Sequence, residues 1–218
     1  GILTYDEDAS LNNGGLINKS SGKVIVSAGL DAQGKNVTNA GEFLVTRDSN
    51  STGNLHNVEL LQNSGSFTID RNGQVSATTI QNNSGTLTVA GSLTGAVSNR
   101  TDGNVVLDDG IVNGAVENYG DLTGTGTING ALTNRKTADL GGTVGNTVNS
   151  GVLGTNGDLT LGTLLNTGTV KIDAGDSLTT TGAVDNRRKL EIAGTLTSGL
   201  QNAVDASTVL SGDGTIQG

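Results

Sequence analysis

Residues 81–99 read QNNSGTLTVAGSLTGAVSN, and this stretch decides the fold. Asn82 stands two residues after the apolar Ile80. An alternating run, Thr86-Leu87-Thr88-Val89, follows Gly85 and stops at Ala90-Gly91. A second run, Ser92-Leu93-Thr94-Gly95-Ala96-Val97, leads to the next Asn, Asn99. Period-two runs of four or five residues broken by Gly or Asn are short strands joined by tight turns. Gly and Asn suit such corners because both tolerate positive φ. The unit is too short for a strand–helix–strand crossover of about 30 residues. It has the length of one coil made of two or three short strands.

The phrase returns along the chain: Ile17-Asn18, Val37-Thr38-Asn39, Leu61-Gln62-Asn63, Val97-Ser98-Asn99, Val116-Glu117-Asn118 and Leu132-Thr133-Asn134. Val148-Asn149, Leu165-Asn166, Val184-Asp185-Asn186 and Leu200-Gln201-Asn202 complete it. At Asn18, Asn149 and Asn166 the apolar residue adjoins the Asn instead of standing two before it. Steps between landmarks run from 15 to 24 residues. Repeats this short are the mark of a solenoid. The expected fold is therefore all-β: a parallel β-helix (β-solenoid) of about 11 coils of 15–24 residues, right-handed by the crossover rule. Residues 1–218 form a single domain, with 1–16 an irregular start and 47–57, the surplus of the longest step, an extruded loop. Asn39, Asn63, Asn82, Asn99, Asn118, Asn134, Asn149, Asn166, Asn186 and Asn202 then fall at one corner of successive coils. There their amides can bond to one another as a ladder.

Composition agrees with a thin core. The chain has 35 Gly, no Pro, Cys, Met or Trp, and 2 each of Tyr and Phe, so its interior must be filled by Val, Leu, Ile and Ala. A net charge of −9 opposes general nucleic-acid binding, which needs surplus Lys and Arg to neutralise phosphates. Absence of Cys removes disulfides, thiolate chemistry and Cys-ligated zinc. No apolar run is long enough to span a membrane as a helix, and no signal-peptide pattern opens the chain.

Chemical motifs are sparse, and neither a cofactor nor a metal is expected. His56 is the only histidine, so no multi-His metal site can form. Gly175-Asp176-Ser177-Leu178 spells a hydrolase string, but its Ser needs a His base, and this string lies at a repeat turn. Asp6-Glu7-Asp8, Asp108-Asp109 and Asp173/Asp176 read as solvated turns. Gly141 to Gly145 approaches a calcium-repeat motif without its Asp. Thr pairs such as Thr86/Thr88 and Thr195/Thr197 would need a flat, regular face to bind ice, and the uneven steps argue against one. Basic residues are placed more systematically: Arg100, Arg135, Lys136, Arg187, Arg188 and Lys189 all lie within three residues after a repeat Asn. They are the candidate ligand-binding residues, forming a locally basic edge for an anionic partner such as an acidic glycan.

The phrases at 81–99, VENYGDLTGTGTINGALTN (116–134) and LLNTGTVKIDAGDSLTTTGAVDN (164–186) resemble the passenger repeats of type V secreted proteins of Gram-negative bacteria. These are autotransporter adhesins and filamentous-haemagglutinin-like exoproteins. The resemblance covers most of the chain from about Leu16 onward. It implies a β-helical stalk, exported through an outer-membrane barrel and displayed on the cell for adhesion or aggregation. Its partners would be a host or cell-surface glycan, a matrix protein, or a second copy. On that reading the chain is an excised, non-enzymatic passenger segment that does not itself insert into the membrane. A self-stacking filament subunit is the alternative, and a glycan-degrading β-helix the third.

Overall fold

The computed structural model describes residues 1–47 and 53–218. It contains only strands and turns, and every strand pairing is parallel. Each turn of the solenoid passes three faces, here sheets A, B and C. In the fifth turn, Thr86–Val89 lies on sheet A, and Ser92–Asn99 carries first sheet B and then sheet C. About twelve turns stack in this way.

Alternation decides what is inside. On sheet A, Val24, Phe43, Phe67, Leu87, Val105, Leu122, Ala138, Leu153, Val170 and Leu190 form one unbroken inward file. All are nearly inaccessible to solvent. Burying each large aliphatic side chain contributes about 1.5–3 kcal/mol. Phe43 and Phe67, from adjacent turns, stack with ring centroids 4.6 Å apart. One turn repeats every ~4.8 Å, so identical side chains meet in identical surroundings.

Three sequence expectations need adjusting. First, the coil count of about 11 becomes about twelve, because the last turn, Ser207–Leu210 and Thr215–Gln217, carries no landmark Asn. Second, the stretch 1–16 is not wholly irregular: Ile2–Tyr5 pairs with Lys23–Val26, and Ala9–Ser10 pairs with residues 30–31. These strands were hidden because no Asn precedes them. Third, residues 48–52 of the expected loop at 47–57 lie outside the described residues, while Asn54–Asn63 is a strand. Residues 54–57 therefore belong to the solenoid.

The register is also more regular than the landmark phrase suggested. Leu16, Thr147 and Leu164 occupy the inward position two before Asn18, Asn149 and Asn166. Ile17 and Val148, the apolar neighbours read from the sequence, face outward at 71% and 40% exposure. The two-residue spacing holds in all three irregular cases.

Candidate functional site

The corner between sheets C and A is built around the repeat Asn. Asn18 opens a chain in which each Nδ2 donates to the Oδ1 of the Asn one turn further on. It runs through Asn39, Asn63, Asn82, Asn99, Asn118, Asn134, Asn149, Asn166 and Asn186 to Asn202, at 2.7–2.9 Å. All the bonds point the same way. Each Nδ2 also donates to a main-chain carbonyl of the next turn, as Asn118 does to Thr137 O at 2.7 Å. From Asn39 to Asn186 these amides are fully buried. A buried primary amide without partners would be destabilising by about 1–3 kcal/mol, so each turn satisfies the next. The interior of this corner is wholly used in cohesion.

Outside the ladder runs a second file, formed by the residue after each Asn. Its main-chain N–H donates to the Asn carbonyl of the preceding turn, placing Arg100, Tyr119 and Arg135 on consecutive turns and Arg187 three turns beyond Arg135. The Arg135 guanidinium sits over the Tyr119 ring, 5.3 Å from its centroid. Tyr119, missed in the sequence reading, is thus the partner of one expected site residue.

A third file precedes sheet A. Gly22, Gly41, Gly65, Gly85, Gly103, Gly120, Gly151 and Gly168 each accept a main-chain N–H from the next turn, but Lys136 and Arg188 stand in the same file. Glycine is the rule because a Cβ at Gly85 would lie 2.0 Å from Gly65 O. The two exceptions have a measurable consequence. The residues that follow them, Thr137 and Lys189, reach the preceding turn's carbonyl at 3.3 and 3.2 Å, whereas the other bonds of this file span 2.7–3.0 Å. Two basic side chains therefore occupy positions where the fold favours none.

The six basic candidates are brought to one edge but not to one state. Lys136 pairs with Asp121 at 3.2 Å and donates to Thr101 O. Arg187 forks onto Asp185, and Lys189 pairs with Glu191 at 2.6 Å. These contacts hold the Asp185 and Glu191 carboxyls below their usual range and raise Arg187, chiefly through the side-chain hydrogen bonds. Arg100, Arg135 and Arg188 form no ion pair among the described residues, and of these Arg135 is held over the Tyr119 ring.

The remaining motifs are dispersed. Ser177 donates to Asp158 at 2.6 Å, on the tenth turn. His56 lies on the third, with Nδ1 3.7 Å from Asp31, about 34 Å away along the rod. Asp139 is raised by burial first and by Asp173 and Asp176 next. Among the described residues no such group is arranged to hold a metal ion. The registers also reveal an outward threonine file on sheet B, Thr127, Thr143, Thr160, Thr179 and Thr197. Unequal corner lengths disguise its regularity in the sequence.

No family model, curated protein or solved structure matches the chain.

Proposed function

We propose that this solenoid is a non-enzymatic segment of a secreted bacterial passenger, displayed at the cell surface, where it holds its C–A edge toward an anionic partner and so supports adhesion. The observation that carries the reading is the broken glycine file. Lys136 and Arg188 stand where glycine packs best, and each stretches the rung beside it. Departures from a fold's own local rules concentrate at functional positions.

Arg100 and Arg188 would make the direct contacts, because their charges are engaged neither by a neighbouring carboxylate nor, as that of Arg135 is, by an aromatic ring. Lys136, Arg187 and Lys189 keep the edge ordered through their pairs. One turn of ~4.8 Å is shorter than the ~8 Å Debye length at physiological salt, and two or more turns exceed it. Contacts several turns apart are consequently independent, and a long polymer gains by engaging many of them. The passenger resemblance supplies the remainder: export to the surface, and a glycan or matrix protein as the natural polymer.

The test is display of the rod on a non-adherent Gram-negative cell, followed by adhesion to immobilised acidic glycans and matrix proteins. Adhesion that falls in the Arg100→Ala/Arg188→Ala variant is expected. A displayed, folded rod that neither adheres nor aggregates cells overturns the proposal.

A further inference from the structure

The corner between sheets B and C steps down along the rod. Between its flanking inward residues it spans 31–36 in the second turn, 56–60 in the third, 76–79 in the fourth and 94–96 in the fifth. The steps leave an open notch of about 510 Å³ against the second to fourth turns, with Gln33, Glu59, Ser76 and Thr78 around a floor of Val58 and Ala77. That volume lies within the range of ~300–1,000 Å³ usual for small-molecule sites.

Two features set this notch apart from an ordinary corner. Gln33 and Asn57 hold φ of 51° and 57°, the left-handed region that non-glycine residues seldom adopt. Both line the notch. Their conformation is fixed by Asp31, whose Oδ1 accepts from Gln33 N at 2.8 Å and from Asn57 Nδ2 at 2.9 Å. Strain held in place by a dedicated acceptor is a property of preorganised sites. Glu59 is steadied in turn by Thr78 Oγ1 at 3.4 Å.

The lining selects the ligand. It offers two carboxamides, a carboxylate and two hydroxyls, hence donors and acceptors together, over two small apolar side chains. None of the lining residues is cationic, and Glu59 with the nearby Asp31 repels anions. A mainly apolar ligand would leave the polar rim unpaired. We propose that the notch is a binding site for a neutral saccharide of one or two rings, whose vicinal hydroxyls donate to Glu59 and to Thr78 Oγ1 and accept from the Gln33 amide. The site is separate from the C–A edge and goes beyond the adhesive role given to that edge.

Saturation-transfer NMR on the intact chain, with glucose, galactose, mannose, N-acetylglucosamine and their β-linked disaccharides, tests the proposal. At least one should bind, with an affinity insensitive to added salt. Glu59→Gln and Thr78→Val should each weaken it about tenfold, the effect of losing one hydrogen bond to a charged or well-placed group, with circular dichroism melts unchanged. Arg188→Ala should bind as the wild type does. Absence of binding by all these sugars overturns the proposal, as does binding that both notch variants retain. Binding confined to acidic sugars and abolished by salt would also overturn it, pointing to the C–A edge.

Discussion

Replacing Asn118 by Ala removes three ladder contacts at once. Its Nδ2 donates to Asn134 Oδ1 at 2.8 Å and to Thr137 O at 2.7 Å, and its Oδ1 accepts from Asn99 at 2.8 Å. Asn99 Nδ2 keeps Gly103 O and Asp121 O as acceptors, so that donor is not orphaned. Asn134 Oδ1, fully buried, loses the donor that holds it. Three hydrogen bonds at a net ~1 kcal/mol each give a loss of about 3 kcal/mol. Asn156→Ala, at an exposed corner, should change stability by less than ~0.5 kcal/mol. Guanidinium titration followed by circular dichroism measures both. Because solenoid stability is nearest-neighbour in character, amide exchange at Arg135 N, which donates to Asn118 O, should accelerate with the global change. Asn118→Asp adds a signed test. Burial against the Asn134 and Thr137 oxygens must raise the carboxyl's folded pKa above its unfolded value of ~3.9. The folded state then binds more protons, and stability falls as pH rises from the unfolded pKa through the folded one. Equal losses for Asn118→Ala and Asn156→Ala, or an Asn118→Asp variant indifferent to pH, would refute a cohesive ladder.

Other perturbations probe different parts of the rod. Gly168→Ala would place a Cβ 2.2 Å from Gly151 O, whereas Gly199→Ala meets nothing within 4 Å; thermal melts should show a clear loss for the first and little for the second. Phe67→Ala, which removes half of the Phe43–Phe67 stack, should lower stability by about 3–5 kcal/mol in the same titration. Asp139→Asn should stabilise the chain at neutral pH, because burial and the charges of Asp173 and Asp176 raise the native carboxyl. That advantage should fade as pH falls toward the unfolded pKa and the carboxyl protonates in both states. On a heparin-type column, Arg100→Ala/Arg188→Ala should elute at lower salt than Arg187→Ala/Lys189→Ala, whose charges are already paired; coincident elution would remove the distinction between free and paired cations.

The parallel solenoid was legible because its two strongest signals are local and repeated. Alternation in runs such as Thr86–Val89 fixes which side faces inward, and the recurring Asn marks one corner per turn. The ladder followed from the same repetition, since residues at one corner of a parallel stack lie ~4.8 Å apart whatever the intervening length. Asn18 and Asn39 bond across 21 residues, Asn134 and Asn149 across 15. The amide contact absorbs none of that difference; the corners do. Their lengths are what single-sequence reading could not align, so the B–C notch and the sheet B threonine file became visible only with the register.

The C–A edge shows how an irregularity acquires meaning once the register is known. In sequence, Lys136 and Arg188 are two of several basic residues that follow a repeat Asn. In the fold they share a file with Gly22, Gly41, Gly65, Gly85, Gly103, Gly120, Gly151 and Gly168, and apart from the methyl of Ala206 in the last turn they alone introduce a side chain there. The packing that excludes a Cβ at Gly85 is relieved at these two turns by a longer rung, 3.3 and 3.2 Å. A longer bond is a weaker one, so the edge gives up cohesion at the two places where it gains charge. Packing against the glycine file therefore does not account for these side chains: Lys136 is engaged by Asp121 and Thr101 O, and a contact outside the rod is the role proposed for Arg188.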